Sequence, residues 1–578
     1  MNKNRILFGA SYSAIEPLGL LHLGGLARDL GWERSYHLVK DHNFEDFFEI
    51  VNDYKPFVVG FNVYTGNHLQ LKEAFEHLKK DYPGIMIIVG GPHPTYFPRE
   101  SKIFADYVVM SEGFYALKGI LEGRFKSAIW PPRKSERFPH PDRKTFYDLY
   151  PEHANSKIKS IITMTGCPYT CTYCYNSSKP EDIDAPELLS GVTGRLFPNN
   201  IRPVEDVIKE GLEIKENWPT EIIYCQDDVH GMDTKHWLPE FVKEWKSKVN
   251  LPYHAQMRWE MTKGANGTQR LEMLREAGCF GLTLAIESAD KVIRKEILSR
   301  GMDQSTMFTG MKKLIDFGFK VRTEQITGLP YGATSEITPM NLRADLDLVK
   351  LNVDLKKITG GPTMAWASTF APYRGTKLGS YCEKMGHYSG DNSDVPDTFF
   401  EESILRFPRK WVGLGLEHFK HNNELWLSES ELSKYRKQNA ELRRIFNFVC
   451  LVPRGDELAE NYLLTASEFN FNWLSIFTDT HFQNLAASGD YEAIKTLDLS
   501  ENLEKLGAKK DVSLYLACLP KASLAVSKVQ GLIDEKSFST AIRHHLYDNV
   551  LYKDDNMINE IDSSRASDGR KDNFNISS

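Results

Sequence analysis

Three cysteines stand within eight residues of one another, at Cys167, Cys171 and Cys174. Thiolates hold iron–sulfur clusters, and a 4Fe-4S cluster that only transfers electrons is usually held by four of them. Three thiolates bind three irons and leave the fourth iron open to a small ligand. The spacing therefore predicts a cluster that takes part in chemistry at its open iron.

Two other interpretations of these cysteines stay open. A zinc site would want a fourth Cys or His nearby, but neither occurs between Cys174 and Cys225. Three unrelated core cysteines are the second possibility, because free cysteine is among the most buried residue types. The CxxxCxxC spacing, with an aromatic residue at Tyr173, favours the cluster.

The run Thr163-Met-Thr-Gly-Cys-Pro-Tyr-Thr-Cys-Thr-Tyr-Cys resembles the signature of radical S-adenosylmethionine (SAM) enzymes. In that family the amino and carboxylate groups of SAM chelate the open iron, and an electron from the cluster splits SAM to give a 5′-deoxyadenosyl radical. The resemblance implies that Cys167, Cys171 and Cys174 are the metal ligands and catalytic centre, and that Tyr173 binds the cofactor.

Six strand–helix pairs are predicted to position this loop. The predicted strands are residues 158–163, 221–226, 253–259, 281–286, 320–327 and 355–359. Helices are predicted at 236–248 and 305–318. This pattern suits the open, partial (β/α)6 barrel, related to the TIM barrel, of the radical SAM family. Such barrels gather their chemistry at the carboxyl ends of the strands.

Carboxylates follow two of these predicted strands. Asp227 and Asp228 come after the second strand, and Glu287 and Ser288 come after the fourth. Carboxylates accept charge-assisted hydrogen bonds from ammonium groups and also accept from hydroxyls. The resemblance implies that the first pair binds the amino group of SAM and the second pair its ribose. Gln226-Asp-Asp stands where many family members have Gly-Gly-Glu.

Two more SAM contacts follow from the resemblance. Arg258, near the end of the third strand, would pair with the carboxylate of SAM. The turn Thr327-Gly-Leu-Pro-Tyr-Gly, which contains Gly328, resembles the turn that lies beside the adenine. Structural roles are the alternatives: Asp228 would cap a turn, and Arg258 would bridge to Glu287.

Residues 1–125 alternate short apolar runs with helical patterns. Leu71, Phe75 and Leu78 recur on one face of a predicted helix. The predicted strands are residues 6–8, 57–59, 85–89 and 107–110. This order predicts an α/β, Rossmann-like domain with a parallel, doubly wound sheet. Ligands of such sheets bind beyond the carboxyl ends of the strands.

Turns rich in glycine and polar residues follow three of those strands. Together with the helix that starts at Pro17, they resemble the cobalamin-binding domain that precedes the radical core in one subgroup of radical SAM enzymes. The resemblance implies that the turns bind cobalamin through Tyr64, Thr65, Gly66, Asn67, Gly90, Gly91, Pro92, His93, Glu112 and Gly113.

A histidine ligand to cobalt is not predicted. Many cobalamin domains carry Asp-x-His-x-x-Gly, whereas this chain has only Asp41-His42, with the wrong spacing and no glycine in place. The resemblance thus implies the subgroup that holds cobalamin without such a ligand. A relic domain that binds nothing is the alternative, because a fold does not determine a ligand.

The remaining chain divides by composition. Residues 126–156 are dense in proline and charge and predict an extended linker. The radical core is predicted at 157–380. A mostly helical C-terminal domain follows at 381–551 and includes a capping box at Ser428-Glu-Ser-Glu431. The polar tail at 552–578 is predicted to be disordered.

Composition narrows the class of protein. The 78 acidic and 71 basic residues are well mixed and give a net charge of −7, so nucleic acid is not a favoured partner. The longest apolar runs are strand-sized and far short of the roughly 20 residues that span a bilayer. With no export signal, the eight cysteines suggest reduced thiols in a cytoplasmic enzyme. The resemblance adds a low-potential electron donor, a flavodoxin or ferredoxin.

The function that these features favour is a cobalamin-dependent radical SAM methyltransferase. It would move a methyl group from methylcobalamin to an unactivated carbon by way of the 5′-deoxyadenosyl radical. The first alternative is radical chemistry without methyl transfer, as in the anaerobic magnesium-protoporphyrin monomethyl ester cyclase. The second is a non-enzymatic cobalamin or iron–sulfur carrier. The substrate, small molecule or peptide, is not predicted.

Overall fold

The computed structural model describes residues 4–13, 15–40, 42–124, 127–330, 340–396, 402–409, 423–450 and 455–465. Two six-stranded parallel sheets form the frame of this part of the chain. The first sheet is built from residues before the cysteine run, and the second begins just before that run and continues after it. None of the described helices is long and apolar enough to cross a membrane.

The first sheet has the doubly wound order that the sequence predicts. In spatial order it reads β2-β1-β3-β4-β5-β6, so the direction of winding reverses between β1 and β3. Its strands are β1 Arg5–Ser11, β2 Glu33–Val39, β3 Val58–Asn62, β4 Met86–Gly90, β5 Tyr107–Val109 and β6 Ile129–Trp130. Its helices are α1 Leu18–Asp29, α2 Glu45–Tyr54, α3 His68–Asp81, α4 Pro92–Tyr96, α5 Pro98–Lys102 and α6 Phe114–Leu121.

Both faces of this sheet are buried. Ile6 and Phe8 of β1 enter a core with α1 and α6, while Leu7 enters the opposite core with α2 and α3. Burial on both faces explains the continuous apolar runs of the strands. The predicted face of α3, with Leu71 and Phe75, is buried in the second of these cores.

The segment predicted as an extended linker is partly ordered into regular elements. It contributes β6 to the first sheet and forms the helices α7 Arg143–Leu149 and α8 Pro151–Asn155. The helices form because Arg143, Phe146 and Tyr147 bury their side chains against both flanking units. The density of proline and charge indicated a boundary between units. It did not indicate the contacts that these buried side chains make.

The second sheet is the open, partial barrel. Its strands lie in chain order, β7-β10-β11-β12-β13-β14, and each pairs in parallel with its neighbour. They are β7 Ile158–Ile161, β10 Ile222–Cys225, β11 Tyr253–Met257, β12 Cys279–Glu287, β13 Lys320–Thr327 and β14 Met364–Thr369. The helices are α9 Val204–Asn217, α10 Trp237–Glu244, α11 Gly264–Glu276, α12 Gln304–Asp316 and α13 Met340–Thr359. A small antiparallel pair, β8 Met164–Thr165 and β9 Asn200–Ile201, flanks the cysteine run.

The prediction for the sixth strand is wrong. Residues 355–359 end helix α13, and the strand is β14, which starts at Met364. Leu351 and Leu355 are buried one helical turn apart, so they continue the apolar face of α13. A short apolar run does not by itself distinguish a strand from the end of a buried helix.

The described C-terminal elements are helical. They are α14 Lys377–Met385, α15 Glu429–Val449 and α16 Gly455–Thr465, and α15 packs against β14 and α13. The predicted capping box is present, because the Ser428 N–H donates to Glu431 Oε2 at 2.8 Å and the Glu431 N–H donates to Ser428 Oγ at 3.5 Å. The predicted tail at 552–578 lies outside the described residues.

Candidate functional site

The cysteine loop leaves the barrel through a glycine. Gly166 has φ +75°, and a Cβ placed on it would lie 2.7 Å from the carbonyl oxygen of Pro198. Glycine alone combines this backbone conformation with this close approach. Downstream, Ser177 Oγ donates to the carbonyl oxygens of Cys171 at 2.8 Å and Cys174 at 2.9 Å, which closes the loop on itself.

The three thiols fit a cluster that they would hold together. Cys167 and Cys171 are buried and Cys174 is partly exposed. Burial raises the pKa of the Cys174 thiol to about 12, and the charges of Asp228, Cys171 and Cys167 add to this rise. Three thiolates this close together repel one another, so a bound cation is needed to stabilise them. Iron binding is the event that deprotonates such thiols.

Asp227 does not face this space. It is fully buried, and its carboxylate accepts bonds from the Thr163 N–H at 2.6 Å, the Met164 N–H at 3.1 Å and His230 Nδ1 at 2.9 Å, as well as from the Thr163 hydroxyl. Burial alone would raise its pKa, but the bonds from His230 and Thr163 outweigh burial and lower it. Asp227 thus anchors the start of the cysteine loop.

Asp228 is the carboxylate that faces the cysteines. Its side chain is exposed, whereas that of Asp227 is buried. Burial raises its pKa, and the polar amide of Asn176 opposes that rise. Its charge acts on the thiols of Cys167 and Cys174. An acceptor in this position suits an ammonium group bound beside the cluster.

Tyr173 and Glu287 contact each other directly, and both contact an arginine, Arg300, that the sequence analysis did not predict. The Tyr173 hydroxyl donates to Glu287 Oε1 at 2.5 Å, and Arg300 Nη1 lies 3.0 Å from that hydroxyl and 3.4 Å from the same carboxylate. Glu287 ends β12 at φ +67°, where the pairing of β12 with β13 shifts register. Burial raises the pKa of Glu287, against the opposing charge of Arg300. No motif marks Arg300 in the sequence.

Arg258 lies against the cluster loop. Its Nη1 donates to Cys171 Sγ at 3.2 Å, and its guanidinium carbon is 3.8 Å from the centre of the Tyr169 ring. Its ion pair is with Glu260, at 2.8 Å. The alternative of a bridge to Glu287 is therefore replaced by a pair two residues away in the chain.

Ser288 and Gly328 occupy the ends of the fourth and fifth barrel strands. Ser288 is buried, its Oγ accepts from the Asp290 N–H at 3.2 Å, and its carbonyl accepts from Arg294 at 2.6 Å. Gly328 has φ +67°, and its N–H donates to Asp345 Oδ1 at 3.1 Å. The other residues of the predicted adenine turn from Tyr331 onward lie outside the described residues.

The predicted cobalamin turns meet at the carboxyl edge of the first sheet. Asn67 closes its own turn and ties it to the end of β1, because Oδ1 accepts from the Tyr64 N–H and Nδ2 donates to Ser11 Oγ, both at 3.0 Å. Gly91 has φ +105°, and a Cβ there would lie 2.1 Å from Asn62 Oδ1. Gly66, Gly90 and Pro92 complete the same edge.

Several residues predicted to bind cobalamin make hydrogen bonds or ring contacts with other residues of the protein. His93 is fully buried and its Nδ1 lies 3.0 Å from Thr65 Oγ1. Its ring stacks on His68 at 4.3 Å, and burial holds its pKa well below the ordinary value. Glu112 accepts hydrogen bonds from the Ser135 N–H and from Asn200 Nδ2, and Gly113 begins α6.

The two edges face each other across a shared interface. The Tyr96 hydroxyl of the first unit lies 2.8 Å from Ser178 Oγ of the cysteine loop. Tyr64 is 47% exposed, yet burial raises the pKa of its hydroxyl. Tyr175 is likewise exposed, and burial and the charge of Asp228 raise its pKa well above the ordinary value. Tyr175 interacts electrostatically with Asp228 and Cys174 on the barrel side and with Tyr64 and Tyr96 of the first unit, so these side chains lie close together where the two units meet.

Comparison with known proteins agrees with these two units. The B12 binding domain family matches residues 4–121, and the radical SAM superfamily matches residues 161–336. These two ranges coincide with the first sheet and with most of the partial barrel.

The sequence identities to individual relatives are low, but the matches extend over most of each relative. An uncharacterized methyltransferase of Pyrococcus horikoshii is 23% identical over 63% of this chain and 78% of its own. Cytidylyl-2-hydroxyethylphosphonate methyltransferase of Streptomyces wedmorensis is 22% identical over 64% of this chain and 74% of its own. The solved structure of OxsB, a cobalamin-dependent S-adenosylmethionine radical enzyme, matches 98% of this chain and 84% of its own at 13% identity, with a TM-score of 0.55. The last likeness supports the fold.

The three clustered thiols, the partial barrel and the turns that face them are thus accompanied by family matches to both units. The chain belongs to the radical SAM enzymes, in the group that carries a B12-binding domain ahead of the radical SAM domain.

Proposed function

We propose that the protein is a methyltransferase that moves a methyl group from methylcobalamin to an unactivated carbon. The observation that carries the proposal is the meeting of the two units at Tyr175, which interacts with Asp228 and Cys174 of the barrel and with Tyr64 of the cobalamin edge. Methyl transfer of this kind needs a substrate held between both cofactors. The names of the two curated relatives add support.

Three thiols and a set of polar groups would hold the barrel cofactors. Cys167, Cys171 and Cys174 are the proposed cluster ligands. Asp228 is the proposed acceptor for the SAM amino group. Arg258 would reach the SAM carboxylate with the N–H groups that Glu260 and Cys171 leave unused.

The remaining SAM contacts are proposed at the next strand ends. Glu287, positioned by Tyr173 and Arg300, would accept from the ribose hydroxyls, with Ser288 beside it. The turn at Gly328 would lie along the adenine, since a glycine leaves room for a flat ring. Asp227 is not among the proposed contacts, because its carboxylate is occupied by the loop that it anchors.

The cobalamin edge is proposed to bind through backbone and small side chains. Gly66, Gly90, Gly91 and Gly113 would allow close approach, and the exposed side chain of Tyr64 would contact the ligand at this edge. His93 supports this edge from inside through its contact with Thr65. We therefore propose no histidine ligand to cobalt.

When bound, SAM and the cluster supply a radical that removes a hydrogen atom, and the corrin supplies the methyl group. The protein's own part is to bind, orient and exclude water. Tyr96, Phe97 and Met110 of the first unit pack with Ile183 and Leu196 in a buried apolar cluster, which excludes water from this part of the contact between the units. A low-potential flavodoxin or ferredoxin in the cytoplasm is the proposed electron source.

The test is a product analysis of the full-length protein. It is reconstituted anaerobically with iron, sulfide and cobalamin, then given SAM and a low-potential reductant. Methyl transfer predicts both 5′-deoxyadenosine and S-adenosylhomocysteine, the second only with cobalamin. Cys171→Ala should lose 5′-deoxyadenosine, whereas Cys382→Ala, a buried thiol outside the loop, should retain both products. Formation of 5′-deoxyadenosine alone would favour the cyclase-like alternative.

A further inference from the structure

Two buried guanidinium groups lie against a single cluster cysteine. Arg258 Nη1 is 3.2 Å from Cys171 Sγ, and Arg300 Nη1 is 3.8 Å from the same sulfur. Arg258 is 6% exposed and Arg300 is 5% exposed. At this burial, solvent screens their charges little.

Each arginine is fixed in place by partners other than the sulfur. Glu260 accepts two hydrogen bonds from Arg258, and Tyr169 stacks on its guanidinium. Arg300 donates to the carbonyl oxygen of Ala285 at 2.8 Å. Partners within the protein thus hold both cations beside the sulfur.

The arginine contacts at Cys171 and at Cys167 are of different kinds. The arginine that reaches the loop at Cys167 is Arg195, and it donates to the carbonyl oxygen of Cys167, not to the sulfur. At Cys171 the sulfur itself is the acceptor. Net charge and hydrogen bonds to the sulfurs set the reduction potential of an iron–sulfur cluster.

We propose that Arg258 and Arg300 raise the reduction potential of the cluster through Cys171, in addition to any contact that they make with SAM. When the cluster accepts one electron from an external low-potential donor, passing from the 2+ to the 1+ state, negative charge builds on its sulfur ligands. The two cations stabilise that charge and so favour the reduced form. The inference needs only the bound cluster and is independent of methyl transfer.

The test is an EPR-monitored redox titration of the reconstituted holoenzyme without SAM, with titanium(III) citrate as reductant. Arg258→Gln and Arg300→Gln each remove one cation and should shift the midpoint potential to more negative values. The shift should be larger for Arg258→Gln, whose guanidinium is nearer to the sulfur. Arg258→Lys keeps the charge and should recover part of the shift.

A matched control is Arg270→Gln. Arg270 is also 6% exposed and donates to backbone carbonyl oxygens, those of Gly231 and Met261, at 2.9 and 2.7 Å. Its loss removes a buried arginine without touching a cluster cysteine. The midpoint potential should be unchanged.

If an arginine-to-glutamine variant fails to load its cluster, a variant that should shift the midpoint potential in the opposite direction still tests the proposal. Glu260→Gln leaves both arginines but removes the carboxylate that offsets the charge of Arg258. It should shift the potential to more positive values. Unchanged potentials in the loaded arginine variants, or a negative shift in Glu260→Gln, would overturn the proposal.

Discussion

Asp227 and Asp228 are adjacent in the chain but have different surroundings. One carboxylate is buried and bonded to the start of the cysteine loop, and the other is exposed and acts on the thiols of Cys167 and Cys174. The sequence grouped them, because a pair of acidic residues at a strand end looks like one binding feature. Successive side chains along an extended segment point to opposite sides, which separates their roles.

Replacing each aspartate should therefore have a different effect. Asp227→Asn puts an amide N–H₂ among donors and leaves buried N–H groups unsatisfied, at ~1–3 kcal/mol for each group. We expect a lower Tm and less bound iron. Asp228→Asn should keep both and raise the KM for SAM about tenfold or more, since a charge-assisted bond is worth ~1.5–3 kcal/mol. Iron assays, thermal unfolding and SAM kinetics distinguish the two; full iron content in Asp227→Asn would contradict this account.

At the residue scale, the sequence predicted the residues that sit in a motif and missed those that do not. Cys167, Cys171 and Cys174 follow from their spacing alone. Arg300 comes from a segment far along the chain, and only folding brings it 3.0 Å from the Tyr173 hydroxyl. A single sequence holds no signal for such a contact.

The elements that carry the site depend on a few backbone positions. Gly166→Ala adds a Cβ that meets the Pro198 carbonyl and also strains a residue at φ +75°. The strain alone costs roughly 1–2 kcal/mol. We expect a marked loss of cluster loading, measured by iron content and the visible absorption of the cluster.

The matched control is Gly194→Ala, where φ is +90° but no atom lies within 4 Å of the added Cβ. It carries the backbone strain without the clash, so its loss of stability should be smaller and its cluster content should be unchanged. Equal losses in both variants would show that the close approach at Gly166 has no role.

The turn at Gly328 is joined to two helices by a buried carboxyl group. Asp345 of α13 accepts from the Gly328 N–H, from the Tyr435 hydroxyl at 3.0 Å and from Asn439 Nδ2 at 2.7 Å, both of the latter on α15. Burial outweighs these bonds and raises the pKa of Asp345 to about 7. This group ties the predicted adenine turn to the C-terminal part.

A pH dependence follows from this raised pKa. Between the unfolded value near 3.8 and about 7, the folded state binds the extra proton. The stability from this group is therefore full below pH ~4 and is lost as the pH rises through about 7. Asp345→Asn should remove this component of the slope in denaturant unfolding measured from pH 5 to 8. An unchanged slope would contradict the assignment.

At the element scale, five of the six barrel strands were predicted close to their observed positions and one was not. Strands that alternate or form apolar runs bounded by polar residues, such as β12, were correctly identified. β14 was missed because Leu355 extended an apolar pattern that belongs to α13. β2 was missed because its first half, Glu33-Arg-Ser, is polar.

At the scale of the whole molecule, a buried ionic network joins the two units. Glu210 of α9 accepts from Arg143 of α7 and from Arg202, and Arg143 lies 3.6 Å from Glu16 in the first unit. Burial would raise the pKa of Glu210, but Arg202 and Arg143 outweigh it and lower the pKa to about 2. The network thus ties Glu16 of the first unit to α9 of the barrel through Arg143.

Glu210→Gln should strongly destabilise the contact between the two units. It leaves Arg143 and Arg202 buried with less compensation, and breaking a buried pair in this way costs ~3–5 kcal/mol. Glu213→Gln on the same helix breaks only a partly exposed contact with His140 and should cost less than ~1 kcal/mol. Denaturant unfolding compares the two; similar losses would contradict a joining role for the network.

The central claim is that the two units together serve methyl transfer through cobalamin. The most direct measurement reduces the cobalamin-loaded holoenzyme with titanium(III) citrate to cob(I)alamin, adds SAM with a deuterated methyl group and follows the label by mass spectrometry. We predict that the label passes to the bound cobalamin and that S-adenosylhomocysteine forms in equal amount. Cleavage of SAM to 5′-deoxyadenosine with no label on the cobalamin would contradict the claim.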